Sequence, residues 1–273
     1  MITSRQNLRV KEAAKLRQRR QRRRQGRFLI DGVREIGRAL DASAQSGVEI
    51  HEAFVCDPFC TLPEAHAVVE LLERTGVDVA RVTPAVFEKL CFGRREDGVV
   101  VVASAPPGSL QDLALPPCPL LAVLEGIEKP GNVGAMLRSA DGAGLDGVIL
   151  AAGRTDRYNP STIRASLGTV FQPKICTATT SETVGWLRRQ QLPVVVARPD
   201  ADRLHTQVDF RAGAAIVLGN EAEGLSDAWR EDLEWHGVQV DAVKLPMRGI
   251  ADSLNVAAAA AVLFYEAVRQ RGG

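Results

Sequence analysis

Five runs in the second half of this chain constrain its fold more than any other feature. Leu120–Glu125, Gly147–Ala151, Pro193–Ala197, Ala214–Gly219 and Val238–Leu245 are each largely apolar and of strand length. A strand with one face in water alternates polar and apolar residues; a strand covered on both faces does not. Segments with helical patterning lie between and after them, at Val133–Gly142, Glu182–Gln190, Ser226–Asp232 and Leu254–Arg271. This order predicts an α/β fold with a parallel sheet and helices on both faces.

The first half reads as a smaller α/β unit. Phe28–Asp31, Ile50–Cys56, Val77–Val82 and Val99–Ala103 have strand character, while Val33–Leu40, Glu64–Arg74 and Pro84–Leu90 read as helices, the last started by Thr83. Pro106, Pro107, Gly108, Pro116 and Pro117 then mark a break. The expected division is therefore a basic arm with a small α/β domain over 1–105, a linker over 106–117 and a second domain over 118–273.

Charge separates the parts further. The 273 residues balance at +1, with 45% hydrophobic and 25% charged residues, which excludes collagen-like, mucin-like and wholly disordered chains. Residues 1–27 alone carry +10, leaving −9 for the remainder. Ser4 is positioned to cap a helix running to Leu16, with Leu8, Ala13 and Leu16 apolar at roughly helical spacing. Residues 17–25 are only Arg and Gln, so no face there is expected to bury. Six arginines in the eight residues from Arg17 to Arg24 repel one another and call for an anionic partner. With no long apolar face opposite them, RNA or DNA fits better than a membrane. An Arg-rich start also occurs in mitochondrial transit peptides, but here it runs directly into the strand-like Phe28–Asp31. The longest apolar stretch, Val256–Tyr265, is too short to span a bilayer. Five scattered cysteines without a CxxC pair, and four histidines without ligand spacing, argue against a disulfide framework or a metal site and for a reducing, cytoplasmic setting.

Three loops at strand ends hold the residues suited to chemistry. The first, Glu125 to Arg138, contains Asn132 as a helix cap and Arg138 about 9 Å further along the helix axis, flanked by apolar Met136, Leu137 and Ala140. The second, Leu218-Gly219-Asn220-Glu221-Ala222-Glu223-Gly224-Leu225, has two glycines that permit close backbone approach. The third, Leu245 to Asn255, leads into an alanine-rich helix with Ser253 as its cap and Asn255 in its first turn. Taken singly, each is also what an ordinary turn or cap looks like. GxGxxG, the P-loop lysine pattern, HExxH and the Gly-x-Ser-x-Gly elbow are all missing, which disfavours a Rossmann dehydrogenase, a phosphate-loop NTPase and an α/β-hydrolase.

Together the loops resemble the three motifs of the TrmH/SpoU-type RNA 2′-O-ribose methyltransferases of the SPOUT superfamily. The resemblance lies in the Asn132…Arg138 spacing, GNEAEGL at 219–225 and LPMRGIADSLNVAAAAAVLFYEA at 245–267, and spans 118–271 in the same order. DRYNPSTIRASLGTVFQ at 156–172 is similar to the family's stretch between its first two motifs. Arg5-Gln6-Asn7 through Gly32 is similar to the substrate-binding domain of the rRNA-directed branch.

The resemblance implies a C-terminal deep trefoil knot, an exception to ordinary unknotted topology, and a homodimer with both sites near its interface. The implied cofactor is S-adenosyl-L-methionine, held largely by backbone around Leu218, Gly219, Asn220, Glu223, Gly224, Leu245, Met247, Ser253 and Leu254. The implied reaction is attack of a ribose 2′-hydroxyl on the sulfonium methyl group. Arg138 would sit at that hydroxyl, either taking its proton or only positioning the substrate; Asn132 would hold Arg138 or the ribose, and Glu221 would pair with Arg138 or a nearby cation. Ser253 and Asn255 would orient substrate or shape the cofactor loop. Arg5, Asn7, Lys11, Arg19, Arg20, Arg22, Arg23, Arg24 and Arg164 are the expected RNA contacts. The substrate-binding stretch favours 23S-type ribosomal RNA. A tRNA 2′-O-methyltransferase of the same family is the alternative enzyme, and a non-catalytic RNA-binding or ribosome-assembly protein the alternative class. DNA binding through the arm has no accompanying helix-turn-helix pattern.

Overall fold

The computed structural model describes residues 1–92, 97–231 and 237–272. The chain packs as two compact units, Met1–Pro106 with Asp156–Gln172, and Pro107–Thr155 with Pro173–Gly273. Residues 156–172 thus pack with the first half, where the contiguous division above assigned them to the second.

The first unit runs α1 (Leu8–Lys15), α2 (Arg19–Gln25), β1 (Phe28–Asp31), α3 (Val33–Ser46), β2 (Glu49–Val55), α4 (Pro63–Arg74), β3 (Asp78–Arg81), α5 (Pro84–Leu90) and β4 (Val99–Ser104). Its sheet has the order β1-β4-β2-β3, antiparallel except for the β2/β3 pair. The arm belongs to this fold. Val10, Ala13 and Leu16 of the arm are buried against Leu29, Phe54, Val86, Phe87 and Val102. Asn7, not Ser4, caps α1: its side-chain oxygen accepts from the Arg9 N–H at 2.9 Å. The expected RNA contact Asn7 is therefore a cap. Residues 17–25 also bury one side chain after all. Arg22 is 5% exposed; its Nε meets Asp156 Oδ2 at 2.6 Å, and its Nη1 donates to the carbonyls of Leu16 and Arg17 at 2.8 Å. A guanidinium with five fixed donors is buried only when they are taken up, and Asp156 comes from the stretch whose packing sequence order conceals. That stretch, with α7 (Pro160–Ala165), is held further by stacking of Tyr158 on Phe28, ring centroids 4.1 Å apart.

The second unit runs β5 (Leu120–Glu125), α6 (Pro130–Gly142), β6 (Gly147–Ala151), β7 (Ile175–Ala178), α8 (Thr180–Gln190), β8 (Val194–Ala197), β9 (Arg203–Leu204), β10 (Ala214–Leu218), α9 (Ala228–Glu231), β11 (Val240–Lys244) and α10 (Val256–Gln270). The sheet order is β7-β6-β5-β10-β8-β11-β9 and every pair is parallel. β10 lies between β5 and β8, with Ile216 opposite both Ala122 and Val195. Val184, Trp186 and Leu187 of α8 and Trp229 of α9 pack with Val123, Val196, Ala215 and Val217 in one apolar cluster. α10 packs on α6 and against β10. Covered strands need no polar face, which accounts for the apolar runs of β5, β6 and β10.

Two caps differ from expectation. α6 starts at Pro130, two residues before Asn132, with Lys129 as cap, because proline's fixed φ suits the first helical position. Asn255 rather than Ser253 caps α10, its side-chain oxygen accepting from the Ala257 N–H at 2.9 Å. Asp232, the expected end of the helix after Ser226, lies outside the described residues. Among the described residues, no helix is long and apolar enough to cross a membrane.

Candidate active site

The loops after β5, β10 and β11 meet at the C-terminal ends of parallel strands, where ligands bind in open α/β sheets. Asn132, in the first turn of α6, donates from Nδ2 to Glu221 Oε1, and its amide oxygen accepts from Asn255 Nδ2 at 3.3 Å. One side chain from each of the three loops is thereby tied to the next. Asn255 serves twice, since its own oxygen caps α10.

The second loop is shaped by its own backbone. Asn220 and Gly224 exchange both N–H···O bonds, at 3.0 and 2.9 Å. A Cβ on Gly219 would stand 2.5 Å from the Gly224 carbonyl oxygen, so only glycine fits there. Gly224 itself turns with φ +71°. Asn220 is buried, and its side chain is spent inside the protein: Nδ2 donates to the Gly126 carbonyl at 2.9 Å, and Oδ1 accepts from the N–H groups of Ala222 and Glu223. The expected cofactor contact Asn220 lines the cavity with its amide spent inside the protein and its backbone N–H and carbonyl both paired with Gly224.

A cavity of about 700 Å³ opens beside these loops. Leu218, Gly219, Asn220, Glu223, Gly224, Leu245, Met247, Ser253 and Leu254 all line it, as do Glu221 and Asn255. Lys129, Trp229 and Ala197-Arg198-Pro199-Asp200 after β8 line it as well, and sequence reading missed them. The Ala197–Asp200 turn directly follows an apolar run, which was the signal available.

Arg138 is not brought into the cavity wall. It is exposed on α6 and makes no hydrogen bond or ion pair among the described residues. Glu221 therefore pairs with Asn132 rather than Arg138. Glu223 pairs instead with Arg154, which also holds Glu128. The Arg154 N–H bond keeps the Glu223 carboxyl below the usual carboxylate range, and the two carboxylates raise the guanidinium in return. Arg154 is a further residue not picked out from sequence.

The expected RNA contacts divide by environment. Lys11, Arg20, Arg23 and Arg24 are exposed, and Arg19 is half-buried. Arg5 meets Glu88 at 3.0 Å and the Ala85 carbonyl, while Arg164 reaches the Phe92 carbonyl at 3.2 Å and remains exposed. Arg22 is removed from this surface by its burial against Asp156. All five cysteines are free thiols, and burial pushes Cys60 up to about 11. Among the described residues, no cluster of three potential metal ligands occurs.

Comparison with known proteins follows the same two-unit layout. A 23S rRNA (uridine(2479)-2′-O)-methyltransferase of Streptomyces viridochromogenes is 31% identical over 99% of this chain and 92% of its own length. A crystal structure described as an RNA 2′-O ribose methyltransferase superposes with TM-score 0.83 at 41% identity, covering 100% of this chain and 99% of that one. The SpoU methyltransferase AviRb from S. viridochromogenes, solved with the cofactor AdoMet, superposes with TM-score 0.85 at 28% identity, covering 98% of this chain and 99% of that one. The MRM3-like substrate binding domain matches residues 7–101 and the SpoU rRNA Methylase family matches residues 119–265. The chain belongs to the SpoU rRNA Methylase family, joined to an MRM3-like substrate binding domain.

Proposed function

We infer that this protein is an S-adenosylmethionine-dependent 2′-O-ribose methyltransferase of large-subunit ribosomal RNA. The observation that carries this reading is the convergence of Glu221, Asn132 and Asn255 on one another beside a cavity of about 700 Å³. The 23S rRNA methyltransferase relative and the AdoMet-bound AviRb structure support it.

The residues present fit such a cofactor. The cavity is of small-molecule size, with apolar walls from Leu218, Leu225, Leu245 and Val243 beside loop backbone that offers amides and carbonyls. Bound there, S-adenosylmethionine supplies a methyl group on a sulfonium that is already a good leaving group. The protein's part is to align the ribose hydroxyl and help remove one proton. Arg138 on exposed α6 acts in this reading by holding the substrate, with Asn132 fixed by Glu221 and Asn255. Lys11, Arg20, Arg23, Arg24 and Arg164 supply phosphate contacts from the first unit.

The same reading includes the family's C-terminal knot, a cytoplasmic setting and a homodimer. Ala258, Val262 and Tyr265 repeat at helical spacing on the exposed face of α10, next in the chain to exposed Met247, Ile250 and Leu254. An exposed apolar face of this kind suits a second copy of the chain.

The test is incubation with labelled S-adenosylmethionine and total RNA from a strain lacking the gene, followed by ribose-methylation mapping. A methyl group on 23S-type rRNA is the expected result. Transfer to tRNA instead would replace the substrate, and no transfer to any RNA would overturn the enzyme reading in favour of a binding protein.

A further inference from the structure

Glu125 ends β5 behind the cavity and does not line it. Its carboxylate is buried, 4% exposed, and fully engaged. Oε1 accepts from the hydroxyls of Thr180 and Ser226, both at 2.7 Å, and Oε2 accepts from the Ser226 N–H at 2.9 Å. The carbonyl of the next residue, Gly126, accepts from Asn220 Nδ2 at 2.9 Å. Asn220 and Ser226 bound the segment 220–226, which is most of the second loop and the residue after it. Between them the loop is closed on itself by the Asn220–Gly224 pair, lines the cavity, and presents Glu221 to Asn132.

We propose that the Glu125-Gly126 dipeptide clamps both ends of loop 220–226, and that Glu125 is a positioning residue which sets cofactor affinity through Ser226 without touching the cofactor. The proposal rests on the reading of the cavity as the S-adenosylmethionine site. The Ser226 N–H is a fixed donor and cannot reverse its polarity, so the group opposite must accept. A carboxylate offers acceptors to all three neighbours, whereas an amide of the same shape turns one of them into a donor. An amide that keeps its oxygen on the Ser226 N–H turns its NH2 toward the Thr180 and Ser226 hydroxyls, which must then accept, and every bond loses the help of the carboxylate charge. Both bonds from Ser226 act on the loop. The bond from Thr180, at the start of α8, acts on the packed core instead. One carboxylate therefore has a loop branch and a core branch, and these can be cut separately.

The experiment compares the wild type with E125Q, S226A and T180A as full-length protein, using S-adenosylhomocysteine as the ligand in calorimetry, and hydrogen exchange with and without it. In the wild type, the ligand slows exchange in 218–226 and 245–255; no slowing there would overturn the cavity reading itself. With that established, S226A and E125Q are expected to speed exchange of 220–226 in the ligand-free protein and to weaken S-adenosylhomocysteine about tenfold. T180A is expected to lower the melting temperature comparably while affinity stays within about twofold. Equal loss of affinity in T180A and S226A, or unchanged loop exchange in S226A, would make Glu125 a core residue only and overturn the proposal. Should E125Q fail to fold, S226A against T180A decides alone.

Discussion

Asn132 Nδ2 donates to Oε1 of Glu221, a residue 89 positions later in the chain. An amide has a donor end and an acceptor end, and here each end meets a different loop, since Asn255 donates to the oxygen at 3.3 Å. Asn132→Ala breaks both links while removing no cavity-lining side chain. It is expected to lower single-turnover methyl transfer about 100-fold, as loss of alignment does, with affinity for S-adenosylhomocysteine nearly unchanged. Arg138→Ala is expected to behave the same way. Normal turnover by either variant in a labelled-methyl assay would remove that residue from the site.

Arg22 and its neighbours on α2 separate stability from RNA binding. Arg22→Ala leaves Asp156, whose side chain is 16% exposed, without its cation, and is expected to cost about 3 kcal/mol in urea unfolding. Arg20, Arg23 and Arg24 are exposed on the same helix. Replacing all three with Ala is expected to leave unfolding unchanged and to reduce the salt dependence of RNA affinity by roughly two units of slope. Deleting 1–27 would confuse the two effects, because it also removes Val10, Ala13 and Leu16 from the core.

Gly219 and Gly224 make contrasting demands on the second loop. Gly219→Ala places a methyl group 2.5 Å from the Gly224 oxygen, against backbone that cannot swing aside. Gly224→Ala meets nothing within 4 Å and carries only the strain of φ +71°, about 1 kcal/mol. Calorimetry with S-adenosylhomocysteine is expected to show at least a tenfold loss for Gly219→Ala and a smaller one for Gly224→Ala. The reverse order would mean that the loop opens on binding.

What the sequence made legible follows the reach of local rules. Residues covered on both faces advertise it, so β5 and β6 were readable to the residue and β10 to within one. Thr83 before Pro84 marked the start of α5. The Thr179–Glu182 capping box marks the start of α8 at Thr180, whereas the apolar pattern alone places it at Glu182. β7 and β9 are short and carry no pattern of their own. Motif spacing brought out Asn132, Glu221 and Asn255, but not that they bond one another. The burial of Arg22 depends on Asp156, 134 residues away, and the role of Glu125 on Ser226, 101 residues away. Charge density marks a polyanion surface; it carries no information on which arginine is folded inward.

The end of α10 supplies a pH-dependent term that can be assigned to one group. Glu266 is 8% exposed. It accepts from Arg269 Nε and Nη2 and from Gln270 Nε2, all at 2.8 Å, and Gln270 in turn bonds both Val208 and Phe210. The Arg269 hydrogen bonds, with lesser help from Gln270, outweigh burial and hold the Glu266 carboxyl down at about 2. A carboxyl whose folded value lies below its unfolded value, roughly 4.3, stabilises the fold above the unfolded value. That contribution is lost as pH falls from about 4.3 toward 2. With Arg269 largely in water, the contribution at neutral pH is about 1 kcal/mol after screening. Glu266→Gln keeps the shape and removes the charge. Urea unfolding at pH 7 is expected to show the variant weaker than wild type by that amount, and the gap is expected to narrow as the pH is lowered below 4. A gap that stays constant with pH would mean that the side chain stabilises α10 through packing and neutral hydrogen bonds alone.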